Sequence, residues 1–142
     1  MLPARINIVT IGARNMAEMR AFYRGLGWKE QSDSDDHAMF HMSGSVLSLF
    51  PSPNLAADAA IPYREPEGFP NFSLAINLES RDAVDDAFAE LRRLGVAIVK
   101  EPEEVFWGGY SGYFADPEGN LWEIAWNPYS RLDERGALVL SE

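Results

Sequence analysis

Among the groups able to do chemistry, Glu123 has the clearest setting. It lies in the run LWEIAW from Leu121 to Trp126, where Trp122, Ile124 and Trp126 alternate with Leu121, Glu123 and Ala125. A strand turns successive side chains to opposite faces. The bulky set is therefore expected to pack inward on a helix, leaving Glu123 on the opposite, concave side as a candidate acid or base. His37 and His41 are the other titratable candidates, on one face of a short apolar run. Residues four apart in a strand are about 13 Å apart, too far for both imidazoles to hold one ion. The chain has no cysteine, which removes disulfides, thiolate metal sites and cysteine nucleophiles. No phosphate-cradling loop, dinucleotide fingerprint or HExxH motif is present, and the serines have no evident partner histidine and acid.

The elements that must position these groups follow from periodicity. Ile6 to Ile11 reads as a strand. Asn15 then caps a helix with Glu18 as its capping-box partner, and Met16, Met19, Phe22, Tyr23 and Leu26 recur at helical spacing up to Gly27. Three short strands follow, Trp28–Ser32, His37–Met42 and Val46–Phe50. The order then repeats. Phe72–Leu78 is a strand, Ser80 caps a helix with the apolar stripe Val84, Ala87, Phe88, Leu91 and Leu94 before Gly95, and Val96–Val99, Tyr110–Ala115 and Leu121–Trp126 are three more strands. Leu26-Gly27 matches Leu94-Gly95, and Gly44 matches Gly119. This predicts an α+β domain over residues 1–142 made of two tandem βαβββ modules, residues 5–50 and 71–128, forming a cleft-bearing half-open barrel. Five prolines mark 51–70 as a linker, and residues 129–142 form a tail leaving the second module.

The two-residue period also sorts the other candidates. Val46, Ser48 and Phe50 face the cleft, as do His37, Met39 and His41, and Ser73, Ala75 and Asn77. Phe114 joins this lining. Trp28, Trp122 and Trp126 are expected in the core, whereas Trp107 and Tyr110 stand in the glycine-rich stretch FWGGYSG, where a loop closes over a ligand. The expected ligand-binding set is thus His41, Ser48, Phe50, Ser73, Asn77, Trp107, Tyr110 and Phe114, an apolar lining with a few polar groups.

A formal charge of −10, with Lys and Arg scattered rather than in a stripe, argues against a nucleic-acid partner. No stretch has the length of a membrane span, and Met1 to Asn7 has no signal-peptide pattern, so a cytoplasmic location without a membrane partner is the expectation.

Two segments carry a family resemblance. GARNMAEMRAFYRGLGW from Gly12 to Trp28, and above all FWGGYSGYFADPEGNLWEIAWNP from Phe106 to Pro128 with its Asp-Pro-x-Gly-Asn turn, resemble the glyoxalase/bleomycin-resistance/extradiol-dioxygenase superfamily, also called the vicinal oxygen chelate fold. The resemblance spans roughly Ile6 to Pro128. Metal-dependent members hold a divalent ion through positions that here carry Ile8, Ser48, Ser73 and Glu123. Isoleucine has no donor atom, and neutral hydroxyls are poor ligands for first-row metals. No metal site and no cofactor are therefore expected. The reading is a small-molecule binding protein for an apolar or aromatic ligand, as antibiotic-resistance members are. Its alternatives are a lyase of glyoxalase type or a dioxygenase using Zn, Ni, Fe or Mn, and a metal-free isomerase or lyase with Glu123 as acid or base. Family resemblance also implies a homodimer.

Overall fold

The computed structural model describes residues 1–140, apart from the side chain of Asp33. The chain forms two compact units, Met1–Glu67 and Gly68–Glu142, dividing inside the proline-rich stretch.

The first unit runs β1 (Ile8–Ala13), α1 (Met16–Gly25), β2 (Glu30–Ser34), β3 (His37–His41), β4 (Val46–Pro51) and α2 (Ser52–Asp58). Its sheet has the order β1-β4-β3-β2, with β1 parallel to β4 and the other pairs antiparallel. The second unit repeats this as β5 (Leu74–Asn77), α3 (Arg81–Arg93), β6 (Ala97–Glu104), β7 (Tyr110–Ala115) and β8 (Leu121–Trp126), with the order β5-β8-β7-β6 and β5 parallel to β8. A small hairpin of β9 (Arg131–Leu132) and β10 (Leu138–Val139) follows.

Capping sets both long helices. Asn15 Oδ1 accepts from the Glu18 backbone N–H at 3.0 Å, while Asn15 Nδ2 reaches the Glu18 carboxylate at 3.4 Å. Ser80 Oγ accepts from the Ala83 N–H at 3.0 Å. Gly27 and Gly95 follow the helix ends with positive φ, where a Cβ would be strained. Met19 and Tyr23 of α1 are buried in the first unit, whose core also holds Ile11, Ala13, Phe40, Leu47 and Leu49. In the second unit Val84, Phe88 and Leu91 of α3 are buried, as are Phe114, Trp122 and Ile124 of the sheet. Each large side chain so buried contributes about 1.5–3 kcal/mol. Close fit matters at Gly112, where an added Cβ would lie 2.7 Å from Phe88 Cζ and 2.7 Å from the Lys100 carbonyl oxygen.

A charged clamp ties α1 to β2. Arg20 Nε donates to Glu30 at 2.9 Å, and Arg24 Nε donates to the other carboxylate oxygen. Burial alone pushes the Glu30 carboxyl up, but the hydrogen bonds from Arg24, Arg20 and Ser32 outweigh it and hold the group below its ordinary pKa.

Three expectations need correction. The stretch 51–70 is not all linker, because Ser52–Asp58 is helical; Pro53 is tolerated in its first turn, where the missing N–H has no intrahelical acceptor. This helix packs on β1 and β4, and Ser52 Oγ lies 2.8 Å from where a Cβ on Gly12 would stand. Next, β6 extends to Glu104 instead of ending at Val99; it is the sheet edge, where Pro102 forfeits no needed ladder bond. Finally, the tail does not simply leave the module. Its hairpin turns on Asp133, whose carboxylate accepts from the Arg135 and Ala137 N–H groups at 2.9 Å each, and Leu132 and Leu138 border a pocket with Asn77 and Trp126. The last two residues of the 129–142 tail, Ser141 and Glu142, lie outside the described residues.

Candidate functional site

The Asp116–Asn120 turn sets the start of β8. Asp116 is buried, and its Oδ1 accepts from the Glu118 and Asn120 N–H groups at 3.0 Å each, while Oδ2 accepts from Asn120 Nδ2 at 2.8 Å. Gly119 has φ +86°, a conformation that L side chains rarely adopt. The strand then leaves in a register that sets Glu123 between Ala75 on β5 and Tyr113 on β7. In the first unit the matching position on β4 is Ser48, between Thr10 on β1 and Met39 on β3. Residues directly opposite each other on paired strands share a face.

On the Ser48 face, His37 Nε2 lies 3.0 Å from Ser48 Oγ, and the His37 ring stands edge-on to Phe50 with centroids 6.0 Å apart. Which of the two atoms donates depends on the imidazole tautomer. Ser48 is only 2% exposed, so this bond satisfies a buried hydroxyl. His41 sits opposite Val46 and is exposed. A groove of about 380 Å³ runs along this edge of the sheet, bounded by Gln31, Ser32, His37, Met39, His41 and Val46. Ser32 Oγ accepts from the Met39 N–H at 3.0 Å, which pins the groove wall.

On the Glu123 face the structure brings up Tyr113, a residue that the sequence reading passed over. Burial pushes the Tyr113 phenol above its ordinary pKa, and the Glu123 charge and the hydrogen bond to Glu123 push it further, against the pull of Lys100. The signal was available, since Tyr113 alternates with Phe114 as Glu123 does with Trp122. Asn77 ends β5 opposite Ala125 and is half-buried. Ser73 is exposed and precedes β5.

Two members of the expected ligand set lie on the other face. Phe114 is opposite Trp122, stacks on it at 6.1 Å between centroids and is 1% exposed, which places it on the α3 side. Tyr110 is opposite Trp126 and donates its hydroxyl to Asp85 of α3 at 2.6 Å, with the Arg81 guanidinium 5.2 Å from its ring centroid. The physical reason is register: a strand's own alternation defines two faces, and only pairing with β8 says which of them meets the helix. Trp107 occupies the turn between β6 and β7, closed by the Val105 N–H to the Gly109 carbonyl at 2.9 Å. Its indole packs against Gly109, where a Cβ would come 2.0 Å from the nearest ring carbon.

The positions at which metal-dependent relatives place ligands do not fit a divalent ion. Ile8, Ser48, Ser73 and Glu123 offer one carboxylate and two hydroxyls. Taking instead the residues directly across from Ser48 and Glu123 substitutes Thr10 and Ala75, and the set still has a single charged donor. Among the described residues no group of three or more His, Cys, Asp and Glu side chains is placed to hold a metal ion.

Among the described residues no helix is long and apolar enough to cross a membrane. Comparison with curated protein sequences finds no match. Among solved structures, a glyoxalase-related enzyme from Fulvimarina pelagi is 26% identical, with a TM-score of 0.86 over 99% of this chain and 100% of its own. A glyoxalase/bleomycin resistance protein/dioxygenase family enzyme from Burkholderia phytofirmans PsJN is 24% identical, with a TM-score of 0.73 over 87% of this chain and 98% of its own, and shares the fold. So does a lactoylglutathione lyase from Agrobacterium tumefaciens, 22% identical with a TM-score of 0.70 over 88% and 95% of the two chains. The family model for the Glyoxalase/Bleomycin resistance protein/Dioxygenase superfamily matches residues 5–124, and with the duplicated modules described above it establishes that the chain belongs to this superfamily.

Proposed function

We propose that this protein binds a small apolar or aromatic molecule on the Ser48 face of the sheet of its first module, without the metal ion of the catalytic relatives. The groove bounded by Met39, Val46, His37, His41 and Gln31 carries this reading. Its volume of about 380 Å³ lies in the range of small-molecule sites, and it combines apolar walls with a few fixed polar groups. Met39 adapts to irregular apolar shapes, and the imidazoles supply hydrogen bonds that orient a ligand. Ser48 acts through His37, by holding its ring, and Phe50 supports the same ring from the side. A cytoplasmic homodimer completes the proposal by analogy with the superfamily.

The test is a thermal-shift and titration screen with neutral and cationic aromatic compounds. A saturable ligand is expected, and Met39→Ala and His41→Ala should weaken it several-fold. A screen in which no compound shifts the melting temperature, or a hit indifferent to both substitutions, contradicts the proposal.

The Tyr113–Glu123 contact favours a second reading, in which the protein is a metal-free isomerase or lyase and Glu123 moves a proton next to a substrate carbonyl. Here Tyr113 is a positioning residue that donates to the carboxylate. Glu123→Gln separates the two, because it abolishes turnover in an enzyme and leaves a binding protein's affinity for a ligand of the first module unchanged. The donor set at the family metal positions supports neither a glyoxalase-type lyase nor a dioxygenase.

A further inference from the structure

The contact between Ser48 and His37 has a direction that burial dictates. Ser48 Oγ lies 3.0 Å from His37 Nε2, and Ser48 is 2% exposed. Among the described residues its side chain has no other hydrogen-bond partner, and at that burial water does not serve it. A hydroxyl carries one hydrogen, whereas a neutral imidazole carries its single N–H on either nitrogen. If Nε2 held the proton it would donate to Ser48 Oγ, and the serine hydrogen would then be buried with no acceptor, a costly state for a polar group. With Ser48 donating to a bare Nε2, that cost is avoided. The ring proton then sits on Nδ1, which has no partner among the described residues. His37 lines the groove with Met39 and Val46, and Phe50 stands edge-on to its ring at 6.0 Å. His41, which lines the same groove, is exposed and has no hydrogen-bond partner among the described residues, so nothing fixes its tautomer.

We infer that Ser48 locks His37 as the Nδ1–H tautomer, and that the groove thereby selects an aromatic ligand bearing a hydrogen-bond acceptor, such as a ketone, over one without an acceptor. The selectivity rests on the reading of this groove as the ligand site. A locked Nδ1–H can only donate, so it holds a carbonyl oxygen and opposes a second donor, whereas an imidazole free to exchange tautomers serves either. His37 is thus the specificity residue, and Ser48 is the positioning residue behind it.

The first arm of the experiment needs no ligand. Nitrogen-15 NMR of the imidazole rings in the full chain, at a pH where both are neutral, reads the tautomer. The chain has two histidines, so His41→Ala assigns their signals. A protonated Nδ1 and a bare Nε2 are expected for His37, lost in Ser48→Ala and retained in Ser48→Thr, which keeps the hydroxyl. A protonated Nε2 in the wild type, or a tautomer unchanged by Ser48→Ala, overturns the inference and leaves the groove a ligand site. The second arm titrates acetophenone against α-methylstyrene, in which a methylene group replaces the carbonyl oxygen. The affinity of the ketone relative to the hydrocarbon should fall about fivefold in His37→Phe, as for one net hydrogen bond, and should fall in Ser48→Ala as well. A ratio indifferent to His37→Phe overturns the selectivity. Failure of both compounds to bind, with the tautomer as expected, overturns the groove reading and leaves the lock standing.

Discussion

The central strand positions of the two modules can be laid side by side, because each sheet has the same order and the same mixture of parallel and antiparallel pairs. Setting Ser48 against Glu123 equates Thr10 with Ala75, Met39 with Tyr113, Phe40 with Phe114 and Leu49 with Ile124. On the helix side the exchanges keep the residues apolar and buried: Phe40 and Phe114 are both 1% exposed, Leu49 and Ile124 are both buried, and so are Leu47 and Trp122. On the opposite side they change chemistry. The first module presents a serine hydroxyl held by an imidazole, and the second a carboxylate held by a phenol. Packing keeps one face of a sheet apolar, while the other face is free to change its donors and acceptors. The inherited architecture therefore specifies where a site stands and leaves its chemistry to a handful of side chains.

The largest test of this comparison is in the core. Phe88 fills the space above Gly112, and Phe88→Ala should destabilise the protein by about 3–5 kcal/mol, read from urea unfolding. Gly112 is opposite Ile124 as Ala38 is opposite Leu49. The two positions are equivalent in backbone but not in space, so Gly112→Ala should cost about 1–3 kcal/mol by crowding Phe88 and the Lys100 carbonyl. A neutral Gly112→Ala would break the claim that Phe88 and the Lys100 carbonyl fill the space above Gly112.

The first module's clamp buries its carboxylate, whereas its counterpart in the second, Arg92 of α3 with Glu101 of β6, is exposed, and Glu30→Gln should cost about 1–2 kcal/mol near neutral pH. Because the folded Glu30 pKa lies below the unfolded value of about 4.3, its stabilisation is complete above that pH and is lost as pH falls through the folded value. The wild-type and Glu30→Gln unfolding midpoints should accordingly converge as acidification passes from the unfolded value down through the lower folded one, and a constant gap between them would count against the clamp. The smallest effect is spectroscopic: Tyr113 should ionise above the ordinary tyrosine range by ultraviolet titration, and Glu123→Gln should bring it back towards that range.

Much of this was legible from residue order. The caps at Asn15 and Ser80, the turn at Asp116–Asn120 and the faces of β4 and β8 follow from local chemistry and strict alternation. What escaped depends on partners distant in sequence. Phe114 and Tyr110 needed the pairing of β7 with β8 before their faces were defined. Residues 52–58 form a helix despite Pro53 because their first turn tolerates it, and β6 runs on through Pro102 because it lies at an edge. Tyr113 escaped for the same reason, because a Phe114 turned towards the cleft sends its neighbour to the opposite face.

This module pair keeps the superfamily fold, and at the positions where metal-dependent relatives place ligands it carries neutral side chains around one carboxylate. Metal analysis of protein purified without a metal-affinity resin, followed by melting with added Zn, Ni, Fe or Mn and then chelator, tests it directly. Substoichiometric metal and a melting temperature insensitive to both additions are expected. Stoichiometric metal whose removal by chelator lowers the melting temperature would contradict it.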